Sequence, residues 1–129
     1  MIRTKTVDIG RLGEKYAARF LKKEGYKLIG KNIHCSHNEI DLIIKDKNFI
    51  VFVEVKTRTT DDDLFSPYGS PAKAVNYNKQ RRTITAARTF LKSNNYSSHQ
   101  PRFDVVEVYI DKNCKKILNI NHIINAFGA

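Results

Sequence analysis

The stretch 51-VFVEVKTR-58 opens as the interior of a sheet and closes as something else. Val51, Phe52 and Val53 are what a strand covered on both faces requires. Glu54 and Lys56 follow two residues apart, and strand alternation sends both to one face. Upstream, 38-NEIDLII-44 repeats the pattern, with Glu39 and Asp41 side by side at the head of an apolar run. The intervening Asp46-Lys47-Asn48 predicts a tight turn and hence an antiparallel hairpin, which brings Asp41 close to Glu54.

The rest of the chain builds around this hairpin. Residues 8 to 24 predict an amphipathic helix, with Asp8 as N-cap, Gly25 at the stop, and Ile9, Leu12, Gly13, Tyr16, Ala17, Phe20 and Leu21 on one stripe. Strands follow at 26–34, 38–45 and 49–57. A loop carrying the acidic triplet Asp61–Asp63 and a Tyr68-Gly69 turn leads to a second helix. That helix is expected from Ser70 and Pro71 to about Lys92, with Ile84, Ala87, Phe90 and Leu91 inward. After the polar loop Asn94–Pro101 come a strand at 102–110, a turn at 111–113 and a short fifth strand through Leu118. Ile120, Ile123, Ile124 and Phe127 predict a last helix from about Asn119. The order α-β-β-β-α-β-β-α predicts one α/β domain over residues 1–129, a mixed sheet flanked by helices.

Composition narrows the functions. The chain has 129 residues, enough for one core and too few for two. Its two cysteines, Cys35 and Cys114, form no CxxC pair, which suits a reducing cytoplasm. The N-terminus lacks an apolar signal core, and the apolar run Phe49–Val53 is too short to span a bilayer, so no membrane role is expected. Twenty-three basic residues oppose thirteen acidic ones, a formal charge of +10. Such a balance favours polyanionic partners, nucleic acid first. In 34-HCSH-37 no second ligand pair supports structural zinc, and alternation sends Cys35 away from His34. Asp104 is expected to be structural, held by a nearby basic group or backbone amide.

Asp41, Glu54 and Glu39, with Glu14 at the edge of the first helix's apolar stripe, surround one lysine. Two like charges about 4 Å apart repel by about 4 kcal/mol at an effective dielectric near 20. A divalent cation is the natural offset. Mg²⁺ takes oxygen ligands, one or two of them carboxylates, and keeps several waters. It would activate water and stabilise the charge that develops on a phosphodiester undergoing hydrolysis. A bland reading stands beside this one: chance supplies about one or two acid-x-lysine tripeptides in a chain of this composition. An ion pair between Glu54 and Lys56 at a strand end would also be ordinary.

The pieces 10-GRLGEKYA-17, 25-GY-26, Asn32, 38-NEIDLI-43, 51-VFVEVKTR-58, Lys79 and 102-RFDVV-106 resemble, in order and over nearly the whole chain, the YraN-type family of small bacterial proteins. The acid on the second strand and the acid-x-lysine on the third resemble the PD-(D/E)XK nuclease superfamily, and within it the archaeal Holliday-junction resolvases. The resemblance implies a restriction-endonuclease-like fold and a Mg²⁺- or Mn²⁺-dependent endonuclease acting on DNA, with branched DNA among its substrates. It implies Asp41 and Glu54 as metal ligands, Lys56 as catalytic lysine, Glu14 as supporting catalytic carboxylate and Glu39 behind them. Arg58, Lys79 and Arg82 are candidate phosphate contacts, and a homodimer is consistent with the resolvase likeness. The family's usual glycine before Glu-Ile-Asp is Asn38 here, a residue type that tolerates positive φ. Two alternatives from other classes stand beside the enzyme. One is a non-catalytic nucleic-acid-binding module that keeps the fold; the other is an interaction protein whose basic face meets an acidic partner.

Overall fold

The computed structural model describes residues 8–35, 37–59 and 76–128. Helix α1 (Ile9–Lys23) is followed by strands β1 (Lys27–Cys35), β2 (Asn38–Asp46) and β3 (Phe49–Thr59). Helix α2 (Tyr77–Ser93) then leads to β4 (Gln100–Ile110) and β5 (Ile117–Phe127). The sheet order is β1-β2-β3-β4-β5. All neighbours are antiparallel except β3 and β4, which run parallel from Phe49↔Gln100 to Thr59↔Ile110. A parallel pair needs a crossover too long for a turn, and α2 lies within it. The mixed sheet with a helix on each face is compatible with a restriction-endonuclease-like fold.

The two faces follow from alternation. On β3, Val51 and Val53 join Leu42, Ile44, Val106 and Val108 under α1, against Ala17 and Leu21. The even positions Ile50 and Phe52 join Ile43 and Phe103 under α2, against Ile84, Ala87, Phe90 and Leu91. A strand apolar on both faces is therefore the centre of the sheet. Helix α1 starts where expected, with the Asp8 side chain accepting from Arg11 N at 3.2 Å. It stops at Gly25, whose φ of +100° suits a residue without Cβ.

Gly13 has a stricter reason. A Cβ there would lie well inside contact distance of Thr57 Oγ1 and 2.9 Å from Thr57 Cβ, so α1 can approach β3 only with glycine at this point. Gly13→Ala is expected to cost roughly 1–3 kcal/mol through overpacking, read as a lower urea midpoint at unchanged slope. A midpoint equal to that of the wild type would show that the helix can ride outwards freely.

Two expectations are corrected. The last helix is the strand β5, paired with β4 from Phe103↔Phe127 to Ile110↔Ile117. Four β-branched isoleucines suit a strand. A register shift between Phe103 and Val105 faces Asn125, whose φ is +56°. Two steps on β4 face four on β5 there, which keeps the side-chain phase, so Ile120 packs with the α1 side and Phe127 with the α2 side as alternation over seven residues requires. Apolar residues on both faces of the strand imitate helical spacing. Helix α2 begins at Tyr77, with Asn76 in extended conformation as N-cap accepting from Lys79 N at 2.8 Å. The Ser70-Pro71 start, the Tyr68-Gly69 turn and the Asp61–Asp63 triplet lie outside the described residues.

Asp104 is structural, as anticipated. It is fully buried and receives Arg102 Nε at 3.0 Å, Arg102 Nη2 at 2.8 Å and the bulge amide of Asn125 at 2.9 Å. The His122 ring nitrogen Nε2 sits 2.7 Å away, and Arg102 also donates to Tyr26 Oη at 2.8 Å. Burial alone would raise the Asp104 carboxyl. The hydrogen bonds from His122, Arg102 and Asn125 outweigh burial and hold it below the usual range.

Candidate functional site

The hairpin places the acids as expected. Leu42 pairs with Val53, and one step on, Asp41 lies beside Glu54. Asp41 Oδ2 accepts from Val55 N at 2.8 Å, which fixes the carboxylate across the strand gap. Among the described residues its Oδ1 accepts no hydrogen bond. Burial, then the neighbouring charge of Glu54, push the Asp41 carboxyl from 3.8 up to about 7; the Val55 amide opposes the rise.

Glu54 has the opposite environment. Its Oε1 lies 3.3 Å from Lys56 Nζ and 3.0 Å from Lys79 Nζ. Lys79 sits in the first turn of α2, so the helix N-terminus delivers a cation to the strand pair. Both lysines are largely covered, with side chains 22% and 32% exposed. Glu54, Lys56 and Arg58 all face the α2 side, because they share the even register of Ile50 and Phe52.

Glu14 reaches the cluster from α1. With the Asn32 amide turned so that its nitrogen faces the acids, it donates to Glu14 Oε1 and Glu39 Oε1, each at 3.1 Å. Burial raises the Glu14 carboxyl; the Asn32 hydrogen bond opposes the rise and the charge of Glu39 adds to it. Glu39 lies further out, 45% exposed, with His34 Nε2 3.4 Å away. Asn32 takes φ +49° between the Lys31–Leu42 and Ile33–Ile40 pairs of the β1–β2 ladder. The turn into β2 puts its positive φ on His37, at +66°, and not on Asn38. Asn38 is instead buried, its Nδ2 donating to Thr83 Oγ1 of α2 at 3.4 Å.

The three candidate phosphate contacts are placed differently. Lys79 is at the carboxylates. Arg58 Nε is 3.5 Å from Glu107 Oε2, and its side chain is 13% exposed, so an ion pair already engages it. Arg82 is exposed on α2, with no ion pair among the described residues.

Two participants were missed. Asn32 had no role read from its type, although it joins Glu14 of the helix to Glu39 of the strand. Glu107 sits in β4 directly across from Lys56, 4% exposed, and accepts from Tyr109 Oη as well as facing Arg58. Burial, then the bond to Glu107, raise the Tyr109 hydroxyl to about 12. An acid in the apolar strand 102-RFDVVEVYI-110 was the available signal for Glu107.

A profile described as "Uncharacterised protein family UPF0102" matches residues 13–108. The chain belongs to the UPF0102 family. It is 45% identical over 119 residues to a UPF0102 protein of Caldanaerobacter subterraneus subsp. tengcongensis, covering 92% of this chain and 93% of that one. UPF0102 proteins of Caldicellulosiruptor saccharolyticus and Clostridium botulinum are each 42% identical, over 93% of this chain and 97% and 94% of theirs. The UPF0102 match spans α1 from Gly13, the whole carboxylate cluster and β4 through Val108. The YraN-type resemblance is therefore confirmed at the level of the family. No helix among the described residues of this UPF0102 chain is long and apolar enough to cross a membrane.

The donor set fits a hard divalent ion in part. Among the described residues no three acids, histidines or cysteines converge tightly enough to hold a metal by themselves. Mg²⁺ commonly takes only one or two carboxylates and completes its shell with water. Asp41, held out of its ordinary ionised state by burial and by Glu54, is the kind of uncompensated acid that an added cation would relieve.

Proposed function

We propose that this protein is a nucleic-acid phosphodiesterase of the endonuclease type, acting on DNA with Mg²⁺ or Mn²⁺. The observation that carries the reading is Asp41: a buried carboxyl raised to about 7 beside Glu54, at the rim where Lys56 and Lys79 also point. Perturbed acids of this kind cluster at functional sites.

Asp41 and Glu54 would hold the ion, with Glu14 supporting from α1. When bound, the ion supplies Lewis acidity and an activated water. The other parts are the chain's own. The Val55 amide orients Asp41, and Asn32 holds Glu14 and Glu39 in fixed relation. Lys56 Nζ, next to Glu54, would orient water or pair with a non-bridging phosphate oxygen. Lys79, released from Glu54 once an ion is shared there, would take a second phosphate oxygen.

A second reading has its own support. The two ammonium groups on Glu54 already balance that acid, as they would in a module that binds nucleic acid without cutting it.

Labelled duplex, single-stranded and four-way-junction DNA, incubated with Mg²⁺, Mn²⁺ or EDTA, separates the two. Cleavage by the wild type that is lost in EDTA and in Lys56→Ala and Glu54→Ala is the expected result. Equal DNA binding by all three proteins with no cleavage would overturn the enzyme reading in favour of the binding module.

A further inference from the structure

We infer that the groove between α1 and β1 is a binding track for the sugar-phosphate backbone of a nucleic acid leading away from the carboxylate site. The groove has a volume of about 260 Å³ and is lined by Lys15, Ala18, Arg19, Lys22, Leu28 and Lys31. Four of these six residues are cations. Among the described residues none of the four has a carboxylate within 4 Å, although Asp8, Arg11 and the strand acids do form pairs nearby.

Lys15, Arg19 and Lys22 fall at i, i+4 and i+7, one row on the helix, about 6 and 10 Å apart along its axis. Like charges at i, i+4 destabilise a helix. A row of them left unpaired costs stability that a bound polyanion would return. Arg19 is held in place, its guanidinium carbon 5.9 Å from the Tyr16 ring centroid. The Tyr16 hydroxyl is anchored in turn on the Lys115 carbonyl at 2.9 Å.

Position points the same way. Lys15 follows Glu14, and Lys31 precedes the Asn32 that binds Glu14, so the groove opens beside the cluster. The chemistry favours a linear polyanion over a membrane. A membrane-bound helix buries an apolar face in lipid, whereas the apolar stripe of α1 is already packed on the sheet.

The inference rests on the nucleic-acid part of the reading above and not on cleavage. Its test is anisotropy of a labelled duplex in EDTA across a salt series. The wild type is compared with Lys15→Gln/Arg19→Gln/Lys22→Gln/Lys31→Gln and with a control on the outer face of α2, Arg81→Gln/Arg88→Gln/Lys92→Gln. Each neutralised phosphate contact should remove about 0.9 from the slope of log K against log salt. The groove variant is expected to lose about three to four and to bind more than tenfold more weakly at about 100 mM salt. The control should stay close to the wild type. A groove variant with unchanged slope and affinity overturns the track, even where the wild type cuts DNA. Loss of slope in the groove variant, with no cleavage by any protein, upholds the track and removes the enzyme. Should the wild type bind vesicles of phosphatidylserine but no nucleic acid, both readings fall.

Discussion

Asp41→Asn is expected to make the metal-free protein more stable than the wild type at pH 8, by on the order of 4 kcal/mol, and nearly equal to it at pH 4. The sign follows from the direction of the shift. Asp41 titrates near 3.8 when unfolded and near 7 when folded. Between those values the folded state holds the extra proton, so stability falls as pH rises and levels off above 7. Asparagine keeps an acceptor for the Val55 amide and removes the charge. Glu14, also raised by burial, contributes a decline of the same sign to both proteins, so the informative quantity is the difference between them. Urea unfolding at half-unit pH steps provides it. A difference that stays flat from pH 4 to 8 would mean Asp41 is ionised at no cost in the fold. Mg²⁺ at a hundred times its Kd should return about 2.7 kcal/mol to the wild type at pH 8 and little to the variant.

Asp104→Ala should move stability the other way, by roughly 3–5 kcal/mol at pH 7. Removing this carboxylate strands the Arg102 guanidinium, whose side chain is only 11% exposed, and releases the His122 ring and the Asn125 amide together. The loss should concentrate on β5, where amide exchange of the residues after His122 is expected to accelerate more than that of β3. Since the folded carboxyl is depressed, its contribution is present above the unfolded value near 3.9 and fades as pH falls through the lower folded one. A midpoint within about 0.5 kcal/mol of the wild type would show that the network is dispensable. Two aspartates of one sheet thus carry opposite signs. Asp104 is surrounded by donors and serves the fold. Asp41 is set beside another acid, and burial and that neighbour both work against its charge.

Much of this could be read from residue types, for identifiable reasons. The α1 boundaries were legible because an Asp cap, a helical stripe and a glycine stop agree with one another. The β2–β3 hairpin was legible because a short polar turn joins two apolar runs, and Asp41, Glu54 and Lys56 came together from that register alone. Strand β5 was not legible, because apolar residues on both of its faces, Ile120 on one and Phe127 on the other, fall at spacings that a helical stripe also gives. The α2 start was misplaced because Ser70-Pro71 and Asn76 are equally good caps by type. Glu107 escaped because an acid in one strand shows its neighbour only when parallel pairing with β3 is known. Arg58 looked free for a phosphate for the same reason, its partner being that glutamate.

Asn32 places two requirements on one position. Its backbone sits at φ +49°, which excludes β-branched and bulky residues, favouring glycine, asparagine and aspartate. Its side chain must give protons to two carboxylates at once, which glycine cannot do and aspartate would oppose with a further negative charge. The two sets of acceptable residues overlap at asparagine alone. A single amide at the sheet's edge thus couples the local shape of β1 to the distance between a helix and a strand.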